Sequence, residues 1–219
     1  GEYRRQRQMC IRDRPGTLLS ITFGSNFNKN VDNLPQTLIS IKFGHCFGKN
    51  VDNLPKKLRI IKFGAWFNQT VNNLPQNLQS IVFGKYFNKF VDNLPQTLQF
   101  ITFDHFFNQS VDKLPQSLQS IVFGSKFNKN VDKLPSKLHT IVFGYSFDQS
   151  INNLPHTLHT IELGFCFNQS IDNLPQKLQV IVFGRNFNKS ICGWMFGRPK
   201  IKLPRSLKKI KIEKNTSIN

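Results

Sequence analysis

Few residues in this 219-residue chain have the types and spacing that chemistry requires. His139 and His159 lie 20 residues apart, so they share one position on adjacent turns if a unit of that length stacks on itself. At strand spacing their rings would approach to about 5 Å, close enough to share a metal ion. No carboxylate or thiol occupies the same position elsewhere, so stacked surface imidazoles are the competing reading. Asp32, Asp52, Asp92, Asp112, Asp132 and Asp172 recur at the same interval and imitate a row of cation ligands. Asn72 and Asn152 replace them without disturbing the pattern, so the row is expected to bond backbone N–H groups at a turn. The chain has no phosphate-binding glycine loop, nucleophile elbow or carboxylate pair outside that row. The expectation is no catalytic residue, no metal and no cofactor.

Recognition is the chemistry that remains. Two positions after a recurring glycine vary most between units, and at the second of them Trp66, Tyr86 and Phe106 follow one another on three successive units. Stacked at strand spacing, they would form an aromatic column roughly 10 Å long. Tyr145 and Phe165 occupy the first position on two later units, and Ile60 and Phe100 project from an otherwise small, uncharged strand face. Aromatic residues near Lys and Arg are the material of protein-interface hot spots, and these seven are the candidate protein-binding residues. The competing reading tucks the rings under a neighbouring turn. A platform for single-stranded nucleic acid would need a basic track beside the rings, for which Lys42, Lys62, Lys85 and Lys126 are available.

All these positions are set by one period. Proline recurs at Pro15, Pro35, Pro55, Pro75, Pro95, Pro115, Pro135, Pro155 and Pro175, always 20 residues on. A unit this short cannot bury its own apolar face, so a fixed period implies a solenoid whose coils shelter one another. The apolar columns run Leu18 to Leu178, Ile21 to Ile181, Phe23 to Phe183 (with Leu163 once), Phe27 to Phe187, and Val31 to Ile191. Leu18-x-x-Ile21-x-Phe23 ends in period-2 alternation and reads as a short strand. Gly24 and its equivalents are expected to end it in a turn of unusual φ, with Asp104 the one exception to the column. Asn33-Leu34-Pro35 and its copies turn the chain back. Twenty residues leave no room for a return helix. The expected fold is a β-rich right-handed solenoid of about ten coils, roughly 45 Å long. It has one parallel sheet and turns or 3₁₀ segments opposite.

Phe-Asn pairs recur at Phe27-Asn28, Phe67-Asn68, Phe87-Asn88, Phe107-Asn108, Phe127-Asn128, Phe167-Asn168 and Phe187-Asn188, with Phe47-Gly48 and Phe147-Asp148 as departures. A stacked Phe column would form a spine of edge-to-face or offset rings, and the Asn beside it a ladder satisfying backbone groups of adjacent coils. Leu-Pro-x-x-Leu-x-x-Ile-x-Phe-Gly-x-x-Phe-Asn-x-x-Val resembles the FNIP repeat, a leucine-rich-repeat relative, over residues 15–191 with a partial copy at 203–212. The resemblance implies a leucine-rich-repeat-like solenoid of amoebal or large-DNA-virus type serving protein–protein interaction in the cytoplasm, without a cofactor. Some family members carry an N-terminal F-box. The alternative function is therefore the substrate-recognition part of an F-box ubiquitin-ligase adaptor whose F-box is missing from this chain.

The formal net charge of +18 points to nucleic acid until it is located. Residues 1–14 carry five Arg against Glu2 and Asp13, and residues 185–219 carry ten Lys and Arg against Glu213, so 12 of the 18 charges are terminal. A basic nucleic-acid binder is thus a lesser alternative, and basic tails serve solubility equally well. Residues 1–14 depart from the repeat and read either as non-native, like a translated sequencing adapter, or as a disordered basic leader. Without an initial Met and with its Pro15 end unprotected, the chain reads as a fragment. Residues 192–202 interrupt the array as a cap bearing Trp194 and Phe196 or as a binding loop, and 203–219 form a terminal partial repeat and basic tail. Cys46 and Cys166 share a position six coils apart, roughly 29 Å, too far to bridge, and Cys10 and Cys192 lie in the irregular ends. Reduced thiols fit the cytoplasm, and no apolar run approaches a membrane span.

Overall fold

Isolated apolar positions in a polar 20-residue unit can be sheltered only by the units on either side. The computed structural model, which describes residues 18–187 and 203–212, meets that need with ten short parallel strands in one sheet. These are β1 (Ser20–Thr22), β2 (Ser40–Lys42), β3 (Ile60–Lys62), β4 (Ser80–Val82), β5 (Phe100–Thr102), β6 (Ser120–Val122), β7 (Thr140–Val142), β8 (Thr160–Glu162), β9 (Val180–Phe183) and β10 (Lys209–Ile212). Each strand pairs with its neighbours in sequence, and the register is the repeat itself: Ile21 faces Ile41, and Ile141 faces Ile161. Eight coils of 20 residues separate β1 from β9, each named below for the strand that opens it. The step to β10 is longer, yet Lys209 still falls opposite Val180. The leader, Asn188, Cys10, Cys192 and the 192–202 insertion lie outside the described residues.

Turns alone close the coils. In coil 2 the Phe47 N–H donates to the Gly44 carbonyl at 3.3 Å, and the Leu58 N–H donates to the Pro55 carbonyl at 3.1 Å. Among the described residues the face opposite the sheet has turns and no 3₁₀ segment, and no helix is long and apolar enough to cross a membrane. The core fills from within and between coils. Phe107, Phe127 and Phe147 are 0% exposed, their centroids 6.1 Å apart with planes 7° from parallel. Within a coil, Phe123 stacks on Phe127 at 3.8 Å. The spine is offset and parallel throughout, with no edge-to-face pair among its rings.

The glycine column has a different cause from the one expected. None of these glycines adopts a left-handed φ. A Cβ built on any of Gly44, Gly64, Gly84, Gly124, Gly144, Gly164 or Gly184 would instead lie 1.8–2.2 Å from the backbone carbonyl oxygen of the preceding coil. The column is glycine because adjacent coils touch backbone to backbone there. Gly24, in the first of the described coils, would meet nothing within 4 Å among the described residues. Asp104 stands exposed in the column, its carboxylate accepting from the His105 N–H at 2.7 Å.

The asparagine beside the spine links coil to coil. Oδ1 of Asn68, Asn88 and Asn108 accepts, at 3.0 Å each, from the backbone N–H of Asn88, Asn108 and Asn128. Asn128 accepts from Asp148 and Asp148 from Asn168, so an aspartate serves equally well as a rung. The ladder stops at Gly48, which takes the Asn28 bond but has no side chain to offer the next coil. A Cβ at Gly48 would meet nothing nearer than 3.9 Å. Gly48→Asn is therefore expected to stabilise the fold by about 1 kcal/mol, one net hydrogen bond. A urea midpoint that stays put or falls would contradict the ladder's contribution.

Candidate functional site

The sheet ends at a corner that the backbone locks between coils. The N–H of Trp66 donates to the His45 carbonyl, that of Tyr86 to Ala65 and that of Phe106 to Lys85, at 2.9–3.0 Å. One bond per coil thus fixes the second residue after the glycine, and its side chain leaves the coil at a repeated angle. Trp66 stacks on Tyr86 at 4.6 Å and Tyr86 on Phe106 at 5.2 Å, with planes 29° and 13° from parallel. Imidazole edges meet the two end rings, His45 against Trp66 at 6.4 Å and His105 against Phe106 at 4.5 Å. Lys85 Nζ lies 5.5 Å from the Tyr86 centroid. The rings stay outside: Trp66 is 55% and Phe106 38% exposed, with Tyr86 between them half-buried. The column is a pre-stacked ladder whose faces meet one another and whose edges face solvent.

The other candidates form separate groups. Tyr145 and Phe165 stack at 4.7 Å with planes 5° apart on coils 7 and 8, one position earlier than the ladder. Lys126, exposed, separates them from Phe106 in sequence order of the column. Ile60 and Phe100 project from the sheet on β3 and β5, both 46% exposed. Sequence reasoning overlooked Phe90, 65% exposed on the back of coil 4. Its column otherwise reads Asn30, Asn50, Thr70, Ser110, Asn130, Ser150 and Ser170. That polar company was the available signal.

The same column corrects the reading of the aspartate row. Asp32, Asp52 and Asp132 each donate their own N–H to Asn Oδ1 two residues earlier, and Asp112 and Asp172 donate theirs to Ser Oγ. The backbone acceptor is thus the residue two places before the aspartate, as an Asx or Ser/Thr turn requires. The carboxylates reach neighbouring side chains instead: Asn53 donates to Asp32 at 3.2 Å and Lys113 to Asp92 at 3.3 Å. A depression of 720 Å³ over coils 1 to 3 is lined in part by Asp32 and Asp52, already engaged in such bonds.

His139 and His159 stack at 5.3 Å with planes 20° apart, and His159 Nδ1 is buried without a hydrogen-bond partner. Among the described residues no group of three or more His, Cys, Asp or Glu side chains is placed to hold a metal. Cys46 and Cys166 are free thiols.

A single parallel sheet, one strand per 20-residue coil and a core of stacked side-chain columns define a leucine-rich-repeat-like solenoid. The FNIP repeat model matches residues 67–106, 130–166 and 167–215, and the chain belongs to the FNIP repeat family. Among solved structures it is similar to CroV588, a giant-virus protein described as a novel circular leucine-rich-repeat structure, at 38% identity and a TM-score of 0.84. That match covers 92% of this chain and 31% of CroV588, so the chain spans about a third of that protein's length. No curated protein matches it.

Proposed function

We propose that this solenoid is a non-catalytic protein-interaction scaffold, working in the reducing cytoplasm, with the Trp66–Tyr86–Phe106 ladder as its principal contact. The observation that carries the reading is that Trp66 and Phe106 stay exposed and Tyr86 only half-buried, stacked on one another outside the core. Held by coil-to-coil backbone bonds and by one another, they lose little freedom on binding, and pre-organised aromatic residues are what hot spots are made of. Free Cys46 and Cys166 are consistent with a reducing compartment.

The test is affinity capture with the intact chain and with Trp66→Ala/Tyr86→Ala/Phe106→Ala. The exposed rings contribute about 0.5–1.5 kcal/mol of stacking each, so the triple variant is expected to fold, which circular dichroism checks. A hot spot is worth about 2 kcal/mol or more, so specific partners identified with the intact chain are expected to disappear. An unchanged set of partners from a folded variant refutes the ladder's role.

A further inference from the structure

The outward strand position just before the core phenylalanine reads Thr22, Lys42, Lys62, Val82, Thr102, Val122, Val142, Glu162 and Val182 along the sheet. Lys42 and Lys62 are directly opposite one another in the parallel register, and both are exposed. Like charges in that relation, at about 4.8 Å strand spacing, destabilise a sheet. The other coils avoid the problem with Val or Thr, or in coil 8 with a lone Glu162 between Val142 and Val182. Neither lysine forms an ion pair among the described residues, whose two salt bridges lie elsewhere, at Lys113–Asp92 and Lys133–Asp112. The free protein thus holds an uncompensated pair of positive charges on a rigid face.

Both lysines line a groove of about 570 Å³ across coils 1 to 5, together with Lys85 and His45, and Asp104 at its far end is its one carboxylate. Ala65 and Lys85 on its wall immediately precede Trp66 and Tyr86, so the backbone that carries the aromatic ladder adjoins the groove. The ladder's geometry separates two kinds of anion. A nucleic-acid base needs an open ring face. Here both faces of Tyr86 and the inner faces of Trp66 and Phe106 are taken up by ring-on-ring contacts at 4.6 and 5.2 Å, while the end rings meet His45 and His105 nearly at right angles. Ring edges remain, and these are the positive part of the aromatic quadrupole, suited to carboxylate and carbonyl oxygens and to apolar side chains.

We infer that the groove over coils 1 to 5 binds an acidic, extended segment of a partner protein. Its carboxylates sit on Lys42, Lys62 and Lys85, and its apolar side chains lie against the Trp66 and Tyr86 edges. This rests on the scaffold reading above and names the partner's chemistry. Four strand spacings, roughly 19 Å, accommodate about six extended residues.

The test is fluorescence anisotropy on the whole chain, with a fluorescein-labelled peptide of about twelve residues repeating Glu-Gly-Glu-Leu, long enough to overrun the groove. The same peptide with Gln for Glu and a labelled oligo-dT of similar length are measured alongside. Because the termini are strongly basic, the deciding comparison is between two variants of equal net charge. These are Lys42→Gln/Lys62→Gln and Lys129→Gln/Lys137→Gln, the latter at exposed sites outside the groove. The Glu peptide is expected to bind about tenfold more weakly to the first variant and within about twofold of normal to the second, with the Gln peptide weak throughout. Relief of the repulsion is expected to leave the melting temperature of Lys42→Gln/Lys62→Gln equal or higher. Equal losses in the two variants would show bulk charge at work, a fall in melting temperature would make the lysines structural, and tighter oligo-dT binding with the same loss would make the groove a nucleic-acid site. Each overturns the proposal. Loss of partners from the ladder variant alongside unchanged peptide binding in the lysine variant would leave the scaffold standing and remove only the groove.

Discussion

Gly144→Ala is expected to cost about 3 kcal/mol or more, while Gly24→Ala stays within about 0.5 kcal/mol of the parent. The two residues hold equivalent positions, so propensity alone assigns both the same effect. Their surroundings differ. The added methyl at Gly144 would sit 2.0 Å from the Gly124 carbonyl oxygen, 2.4 Å from its carbon and 2.8 Å from the Ser125 nitrogen. All three are backbone atoms, and the Gly124 carbonyl also accepts the Phe127 N–H, so no side chain can swing aside. Coils 6 and 7 must part. A solenoid's stability is a sum of coil and interface terms, so weakening one interface is expected to split urea unfolding into two steps. Comparable midpoints for the two variants would show that the glycine column is not set by contact between coils.

Phe127→Ala is expected to cost about 3–5 kcal/mol, the range for removing a fully buried ring. Phe127 stacks on Phe123 within its coil and on Phe107 and Phe147 across two interfaces, so the cavity would face three rings. Phe27, partly buried in coil 1, stacks on Phe23 and on Phe47 alone among the rings of the column. Phe27→Ala is expected to cost roughly half as much, since the loss scales with the apolar area returned to water. Equal costs would mean that the spine does not act through its neighbours. Either large loss is a sizeable part of the roughly 5–15 kcal/mol that keeps a typical domain folded.

The fold was legible because a fixed period turns a sequence into columns, and a column repeated nine times leaves its burial in little doubt. Leu38, Ile41 and Phe47, with their copies, needed only alternation and spacing to be placed inward. What escaped was whatever depends on the gap between coils. Glycine reads the same whether it supplies a left-handed φ or makes room for a neighbouring carbonyl, and only the coil-to-coil distance separates the two. The aspartates drew attention by their charge, while the working acceptors, Asn30 and its equivalents, varied among Asn and Ser and so concealed a shared role. The exposed aromatic residues were visible as a coincidence of type and position. Their mutual stacking, which decides what they can touch, needed coordinates. Lys42 and Lys62 were visible as members of a basic track, but the groove that joins them to Lys85 exists only when five coils are seen together.

The in-register stacking of the coils also has a genetic consequence. Because each unit fits any neighbour built on the same columns, recombination that removes or duplicates one whole repeat joins two surfaces that already match. The core is indifferent to such an event, while the surface rows are cut and rejoined. Losing coil 3 would take Lys62 and Trp66 out together and bring Lys42 beside Val82, whereas gaining a copy would lengthen both the basic pair and the ladder by one step. Unequal crossing-over between repeats therefore edits recognition in discrete increments at almost no cost to folding, a route to new specificity that a single-core domain lacks.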